Sequence, residues 1–316
     1  MHPRALHAAP PVNRLLTASR PGLLLCPAVS LWLVSFLGLL QGATELFPVS
    51  SLGHAVVVPL LLHLDFNPAD ATFVPLLVLL HLGTATALLI LYRDEWKRMI
   101  VGFVRATARG EICDEDERMA ALLIVGTIPA GVLGVIFEER VKNLFSNGRT
   151  ASAFLIVNGA ILLGAEALRR RDERRRACGV ERPRAAQEGS YAGVSQLSFR
   201  AALLVGTCQG AALLPGISRA GITMAGGLAA GLRHEEAARF SFLLATPVIL
   251  AAGLLEVPQL FGKNAPLGTY FFGAVLAGVA AYFSARFLIR YFRVGRLDPY
   301  AYYCAALGAV GLAVIR

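Results

Sequence analysis

The chain has 316 residues, 56% of them hydrophobic and 16% charged, with a mean hydropathy of +0.59. A soluble domain spreads its apolar residues by helix or strand period, whereas here they stand in long blocks, which excludes an ordinary soluble fold. The net charge of +9 does not point to nucleic acid, because Lys and Arg gather between the apolar blocks, where membrane proteins keep them.

Residues 1–28 carry Arg4, Arg14, Arg20 and several prolines and read as a basic N-terminal tail, with no A-x-A cleavage site after it. An apolar region from Val29 to His63 follows, broken by Pro48, Ser50, Ser51 and Gly53. Phe73–Tyr92, Ala120–Phe137 and Ala151–Leu168 come next, each nearly free of charge and close to the ~20 residues that cross a ~30 Å hydrocarbon core. A linker, 169–198, holds eight arginines between Arg169 and Arg184. The second broken region runs from Phe199 to Leu232, interrupted by Pro215, Gly216, Ser218, Arg219 and Gly221. Phe240–Val257, Tyr270–Phe287 and Tyr300–Ile315 complete six span-length blocks. The charge runs at 111–118 and 169–176 read as solvated loop. Cys26, Cys113, Cys178, Cys208 and Cys304 show no metal-like spacing and read as unpaired.

The two broken regions resemble each other. Gln41-Gly42-Ala43 leads to Pro48, Ser50 and Gly53; Gln209-Gly210-Ala211 leads to Pro215, Ser218 and Gly221. Each reads as two half-length helices joined by a polar kink, an arrangement tolerated at membrane depth only inside protein. Interrupted segments at matching positions of two halves point to a binding site. The fold expected is an all-α integral membrane protein with six transmembrane helices plus two re-entrant helical hairpins in an inverted-topology repeat. The first repeat is 29–168 with its hairpin at 29–63; the second is 199–316 with its hairpin at 199–232. The basic loops at 93–109, 169–198 and 286–299 are expected on the cytoplasmic side. On that threading the two kinks meet near the midplane, and the tail before residue 28 conflicts with it by lying outside.

Gln41 and Glu45 share one helix face, four residues apart. Ser50, Ser51 and His54 open the next half-helix, and Ser218, Arg219 and Thr223 occupy the same place in the second copy. A helix start offers free N–H groups and positive dipole charge to an anion. Charged groups inside a membrane are costly and usually functional. The chemistry suggested is phosphoryl transfer: Arg219 clamps non-bridging oxygens, Glu45 holds Mg²⁺ or Ca²⁺, and Ser51 or His54 supplies the nucleophile or its base. Bland alternatives stand beside each assignment. Glu45 also reads as a structural partner of Arg219, the serines as helix caps, and His54 as a satisfied interior histidine. His63 and His81 lie outside the breaks and read as packing residues.

These residues resemble the undecaprenyl-diphosphate phosphatases, the family also called BacA or UppP and linked to bacitracin resistance. Gln41–His54, QGATELFPVSSLGH, is similar to the family's E/Q-x-x-x-E and P-x-S-S-x-G-H signature; Pro215–Thr223, PGISRAGIT, is similar to P-G-x-S-R-S-x-x-T. The resemblance covers nearly all of residues 29–316. It implies a metal-dependent hydrolase in the bacterial cytoplasmic (inner) membrane, multi-pass, with its active site on the external side. Such an enzyme turns undecaprenyl diphosphate into undecaprenyl phosphate for cell-wall synthesis, with bacitracin competing for that substrate. By matching position, Ser51, His54, Glu45 and Arg219 are the catalytic set and Ser50, Ser218, Thr223 and Gln41 the substrate-binding set, with Glu45 on the divalent cation. Gln41 stands where some members have a glutamate, and Ala220 replaces the family's second serine. A homodimer stays an open option. A phosphatidate-phosphatase-type enzyme is disfavoured, because its essential histidine would fall at Ala225. A polyprenyl-phosphate flippase or transporter is the alternative of a different class.

Overall fold

The computed structural model describes residues 30–64, 72–144, 147–177, 193–260 and 266–315. The tail 1–28, the middle of the 169–198 linker and loop residues 65–71 and 261–265 lie outside the described residues. Among the described residues all regular structure is helical. The α-helices are α1 (Leu31–Thr44), α2 (Ser51–Leu61), α3 (Phe73–Leu91), α4 (Arg93–Arg109), α5 (Glu115–Leu144), α6 (Gly148–Ala177), α7 (Phe199–Gln209), α8 (Arg219–Ala229), α9 (His234–Glu256), α10 (Leu267–Tyr291) and α11 (Asp298–Val314).

Both broken regions are pairs of short helices. Pro48 lacks an N–H and restricts Phe47, so α1 stops and the chain turns before α2. Ser50 then caps α2 by accepting from the Gly53 N–H at 3.1 Å, and Ser218 caps α8 by accepting from the Gly221 N–H at 3.0 Å. The two starts are built alike, three residues apart in each copy.

Among the described residues five helices are long and apolar enough to cross a membrane: α3, α5 over Glu115–Phe137, α6 over Gly148–Arg175, α9 and α10. The sixth expected block falls in α11, whose 17 residues stop short of that length. Bulky apolar side chains face outward on these helices, among them Ile136, Leu254, Phe271 and Phe283. An exterior of this kind suits lipid and not water. The chain is a helical, multi-pass membrane protein.

Two charged stretches expected as loop are helical, and a third is helical in its second half. Residues 93–109 form α4, with Asp94 and Glu95 in its first turn and Arg109 in its last, where each complements the helix dipole. The run 111–118 is exposed loop through residue 114, as expected, and helix from Glu115, where α5 starts; Glu117 is buried there, accepting from the Cys113 N–H at 2.7 Å and pairing with Arg109. The run 169–176 continues α6, because Arg and Glu are good helix formers and have partners: Arg169 donates to the Leu232 carbonyl at 3.1 Å, and Arg170 pairs with Asp298. Charge marks water along a sequence, but helix propensity and neighbouring helix ends decide the conformation.

The helices pack in matching pairs. α1 lies against α10 and α7 against α5, while α3 meets α9 and α6 meets α11. Close glycine contacts recur in register with the Q-G-A copies, three residues before each glutamine. A Cβ on Gly38 would stand 2.5 Å from the Gly273 carbonyl oxygen, and a Cβ on Gly206 2.1 Å from that of Gly126. Only glycine permits such backbone contact, the usual device for joining membrane helices.

Candidate active site

The two helix breaks touch. Asn158, fully buried on α6, donates from Nδ2 to the Pro48 carbonyl at 2.9 Å and accepts from the Ser218 N–H at 2.9 Å. The Ser218 hydroxyl donates to the Phe47 carbonyl at 3.3 Å. One side chain thus satisfies a free backbone group of each break, as buried polar backbone requires.

Glu45 stands at the centre of what this contact creates. Its Oε1 accepts from Arg219 at 2.7 Å. Its Oε2 accepts from the Ser51 hydroxyl at 2.5 Å and from the Gln41 amide at 2.9 Å, and lies 3.1 Å from Nε2 of His81. The second guanidinium nitrogen of Arg219 donates to the Ser241 carbonyl at 3.0 Å, which fixes the plane of the fork. Glu45, Ser51 and Gln41 are buried, and a carboxylate at this depth persists only because four side chains donate to it. The cavity beside it, about 240 Å³, is lined by Glu45, Ser50, Ser51, His81, Gln209, Ser218 and Arg219 among apolar residues of α3 and α9. A larger groove of about 620 Å³ between α3 and α10 has no Lys, Arg, His, Asp or Glu in its lining and offers nothing to hold a phosphate.

Ser51, Glu45 and Arg219 therefore come together, with Gln41 behind them. Ser50 and Ser218 both line the cavity and both cap a half-helix, the bland and functional readings holding at once. Ser50 adopts φ +69°, a conformation side-chain-bearing residues rarely take, next to Ser51. His54 is turned elsewhere: its Nδ1 meets the Ser50 carbonyl at 2.7 Å, its Nε2 meets the Tyr303 hydroxyl at 2.8 Å, and the two rings stack. Thr223 lies behind Arg219, donating to the Arg219 carbonyl at 2.7 Å and sharing a hydroxyl–hydroxyl hydrogen bond with Ser241 at 2.6 Å, outside the cavity lining.

Sequence reasoning missed His81, Asn158, Ser241 and Tyr303. A histidine inside the Phe73–Tyr92 block and an asparagine inside the Ala151–Leu168 block were available signals, since polar groups at membrane depth need partners. Neither lies in a repeated motif, so nothing in the repeat pointed to them.

Among the described residues no group of three or more His, Cys, Asp or Glu comes together to hold a metal ion. A hard cation asks for oxygens, and those are present. Glu45 supplies a carboxylate, and Oε1 of Gln41, one turn away, is buried with no hydrogen-bond partner among the described residues. One carboxylate with substrate phosphate oxygens is a common way to hold Mg²⁺. The donor set fits such an ion carried in with a phosphorylated substrate.

The family model described as bacitracin resistance protein BacA matches residues 34–310. The chain is 45% identical over 284 residues to a protein of Acidiphilium cryptum named undecaprenyl-diphosphatase, covering 88% of this chain and 95% of that protein. It is 47% identical over 281 residues to undecaprenyl-diphosphatase 2 of Burkholderia thailandensis, covering 89% and 95%. An undecaprenyl-diphosphatase of Mycolicibacterium paratuberculosis is 45% identical over 291 residues, covering 87% and 94%.

Proposed function

The chain belongs to the bacitracin resistance protein BacA family, and from that premise we infer that it hydrolyses undecaprenyl diphosphate to undecaprenyl phosphate and inorganic phosphate. The observation that carries the chemistry is the Ser51 hydroxyl donating to Glu45, whose other oxygen is held by Arg219, in a cavity at the contact of two helix breaks.

Ser51 is the nucleophile. Glu45 Oε2 receives its proton as Oγ attacks the terminal phosphorus, and the bond to the bridging oxygen breaks, releasing undecaprenyl phosphate. Water then cleaves the phosphoserine and releases inorganic phosphate. Arg219 supplies a planar fork for the equatorial oxygens, whose charge is spread in the transition state. The starts of α2 and α8 aim free N–H groups and positive dipole charge at the same space. His54 supports the turn through the Ser50 carbonyl, in place of serving as the base. Gln41 and Glu45 would hold a divalent cation of the Mg²⁺ or Ca²⁺ kind, which when bound neutralises phosphate charge.

The remaining reading is finer. α1–α2 and α7–α8 are re-entrant hairpins of an inverted repeat, supported by their matched caps and matched glycine contacts. The site opens to the external face of the bacterial inner membrane, supported by the arginines gathered at the opposite helix ends. Bacitracin competes there for the lipid diphosphate.

The test is phosphate release from undecaprenyl diphosphate by the purified protein, with and without excess EDTA. Release that stops with EDTA and returns with Mg²⁺ or Ca²⁺ is expected. Full activity in EDTA removes the cation, and activity confined to water-soluble diphosphates removes the lipid substrate.

A further inference from the structure

The repeat places a second glutamine in the site. Gln209 in α7 corresponds to Gln41 in α1, each opening a Q-G-A triplet. Their surroundings differ in one decisive respect. Four residues after Gln41 stands Glu45, which accepts its amide hydrogen; four residues after Gln209 stands Leu213, which accepts nothing. Gln209 is 3% exposed and lines the cavity that holds Glu45, Ser51 and Arg219. Among the described residues neither its amide nitrogen nor its amide oxygen has a hydrogen-bond partner.

A buried amide with both ends unpaired is expensive, and native proteins keep few of them. Leucine would fill the same space without that cost. An amide retained here, on the wall of the cavity, is one whose partner arrives with a ligand. The anion donors of the site make that ligand's headgroup a phosphate, and the amide N–H₂ suits a phosphate oxygen.

We propose that Gln209 is a substrate-contacting residue, donating from Nε2 to a phosphate oxygen of the lipid diphosphate across the cavity from Glu45. The proposal rests on the phosphatase reading of this site. It assigns the two repeat-related glutamines different tasks. Gln41 holds the carboxylate, and Gln209, freed of that duty by Leu213, holds the substrate. Recognition of a polar group by a buried donor also discriminates strongly against ligands lacking it.

The test is Gln209→Leu in the full-length protein, with thermal unfolding in detergent, hydrolysis, and direct binding of undecaprenyl diphosphate and of undecaprenol. The expected result is a divergence. The unfolding midpoint stays level or rises, because an unpaired buried amide is gone. Affinity for the diphosphate and kcat/KM both fall by about 10- to 100-fold, the worth of a hydrogen bond to a charged group. Binding of undecaprenol, which has no phosphate, is unchanged. Gln209→Asn, which keeps the donor on a shorter stem, falls between the two. A Gln209→Leu variant with unaltered diphosphate affinity overturns the proposal, as does one that loses stability and both affinities together. If the unmodified protein binds the lipid diphosphate but does not hydrolyse it, the phosphatase reading fails, and the binding arms still decide whether Gln209 holds a phosphate.

Discussion

At the scale of single residues, the site turns on what each donor faces. Arg219 reaches Glu45 with one guanidinium nitrogen and the Ser241 carbonyl with the other, which fixes the plane of the guanidinium and leaves three of its five N–H donors for a phosphate. Arg219→Lys keeps the charge and loses the fork; it is expected to lower kcat by about 10²–10³, the usual cost of removing a donor to developing charge. Ser51→Ala removes the attacking oxygen and is expected to lose more than Arg219→Lys at every pH in a phosphate-release assay. A Ser51→Ala variant of near-unmodified rate ends its assignment as nucleophile. His54 makes a different prediction, because it contacts Tyr303 and the Ser50 carbonyl and not the carboxylate. Tyr303→Phe is expected to cost activity in the unmodified protein and much less in a His54→Ala background. Equal costs in the two backgrounds, measured as a double-mutant cycle, refute an action of Tyr303 through His54.

At the scale of helices, the two half-helix starts are made by local sequence but placed by a third element. Pro48, Ser50 and Ser218 make the breaks and caps from within their own segments. Asn158, 60 residues before Ser218 and 110 after Pro48, holds them together from α6. Asn158→Leu leaves the Ser218 N–H unpaired, worth about 1–3 kcal/mol when buried, and leaves the Pro48 carbonyl only the weak Cys304 thiol contact at 3.9 Å. A lower unfolding midpoint in detergent and a lower kcat are expected together, since Arg219 follows Ser218 directly and Ser51 begins the half-helix after Pro48. Asn158→Asp keeps the acceptor for the Ser218 N–H and should retain more of both. Should Asn158→Leu unfold and turn over like the unmodified protein, the bridge is not what aligns the starts.

Across the whole molecule, a group of ion pairs among the described residues joins helix ends far from the site. Glu95 pairs with Arg239 at 2.9 Å, Glu166 meets His234 at 2.5 Å and accepts from the Leu297 N–H at 2.8 Å, and Arg170 pairs with Asp298. These contacts tie the start of α4 to α9, α6 to the start of α9, and α6 to the start of α11, forming a polar belt at the arginine-rich helix ends. The site at Glu45 has no share in that belt. The arginine-rich end is expected in the cytoplasm. With the native cysteines replaced, a cysteine at position 185 should resist a membrane-impermeant maleimide in intact cells and react once the cells are opened. Ready labelling in intact cells reverses the topology.

The apolar blocks, the two kinked segments and their order Q-G-A, Pro, Ser, Gly were legible along the chain, because hydrophobic length and helix breaking are local properties. So were Glu45, Ser51 and Arg219, which lie within or beside the breaks. Helix α4, the second half of the 111–118 run and the 169–176 run were misread as loop, since charge density reports contact with water and not conformation. The partners of the site were beyond local reading. His81 and Tyr303 reach it from α3 and α11, Ser241 from α9 and Asn158 from α6, each from a separate span with no repeated motif around it. Only the tertiary structure decides that Ser51 faces Glu45 while His54, three residues on, faces Tyr303: a helix turns by about 100° per residue, and the neighbour met on each face is set by packing. The same holds for Gln41 and Gln209, alike in sequence and unlike in duty, because folding brings one to a carboxylate and leaves the other at the cavity wall.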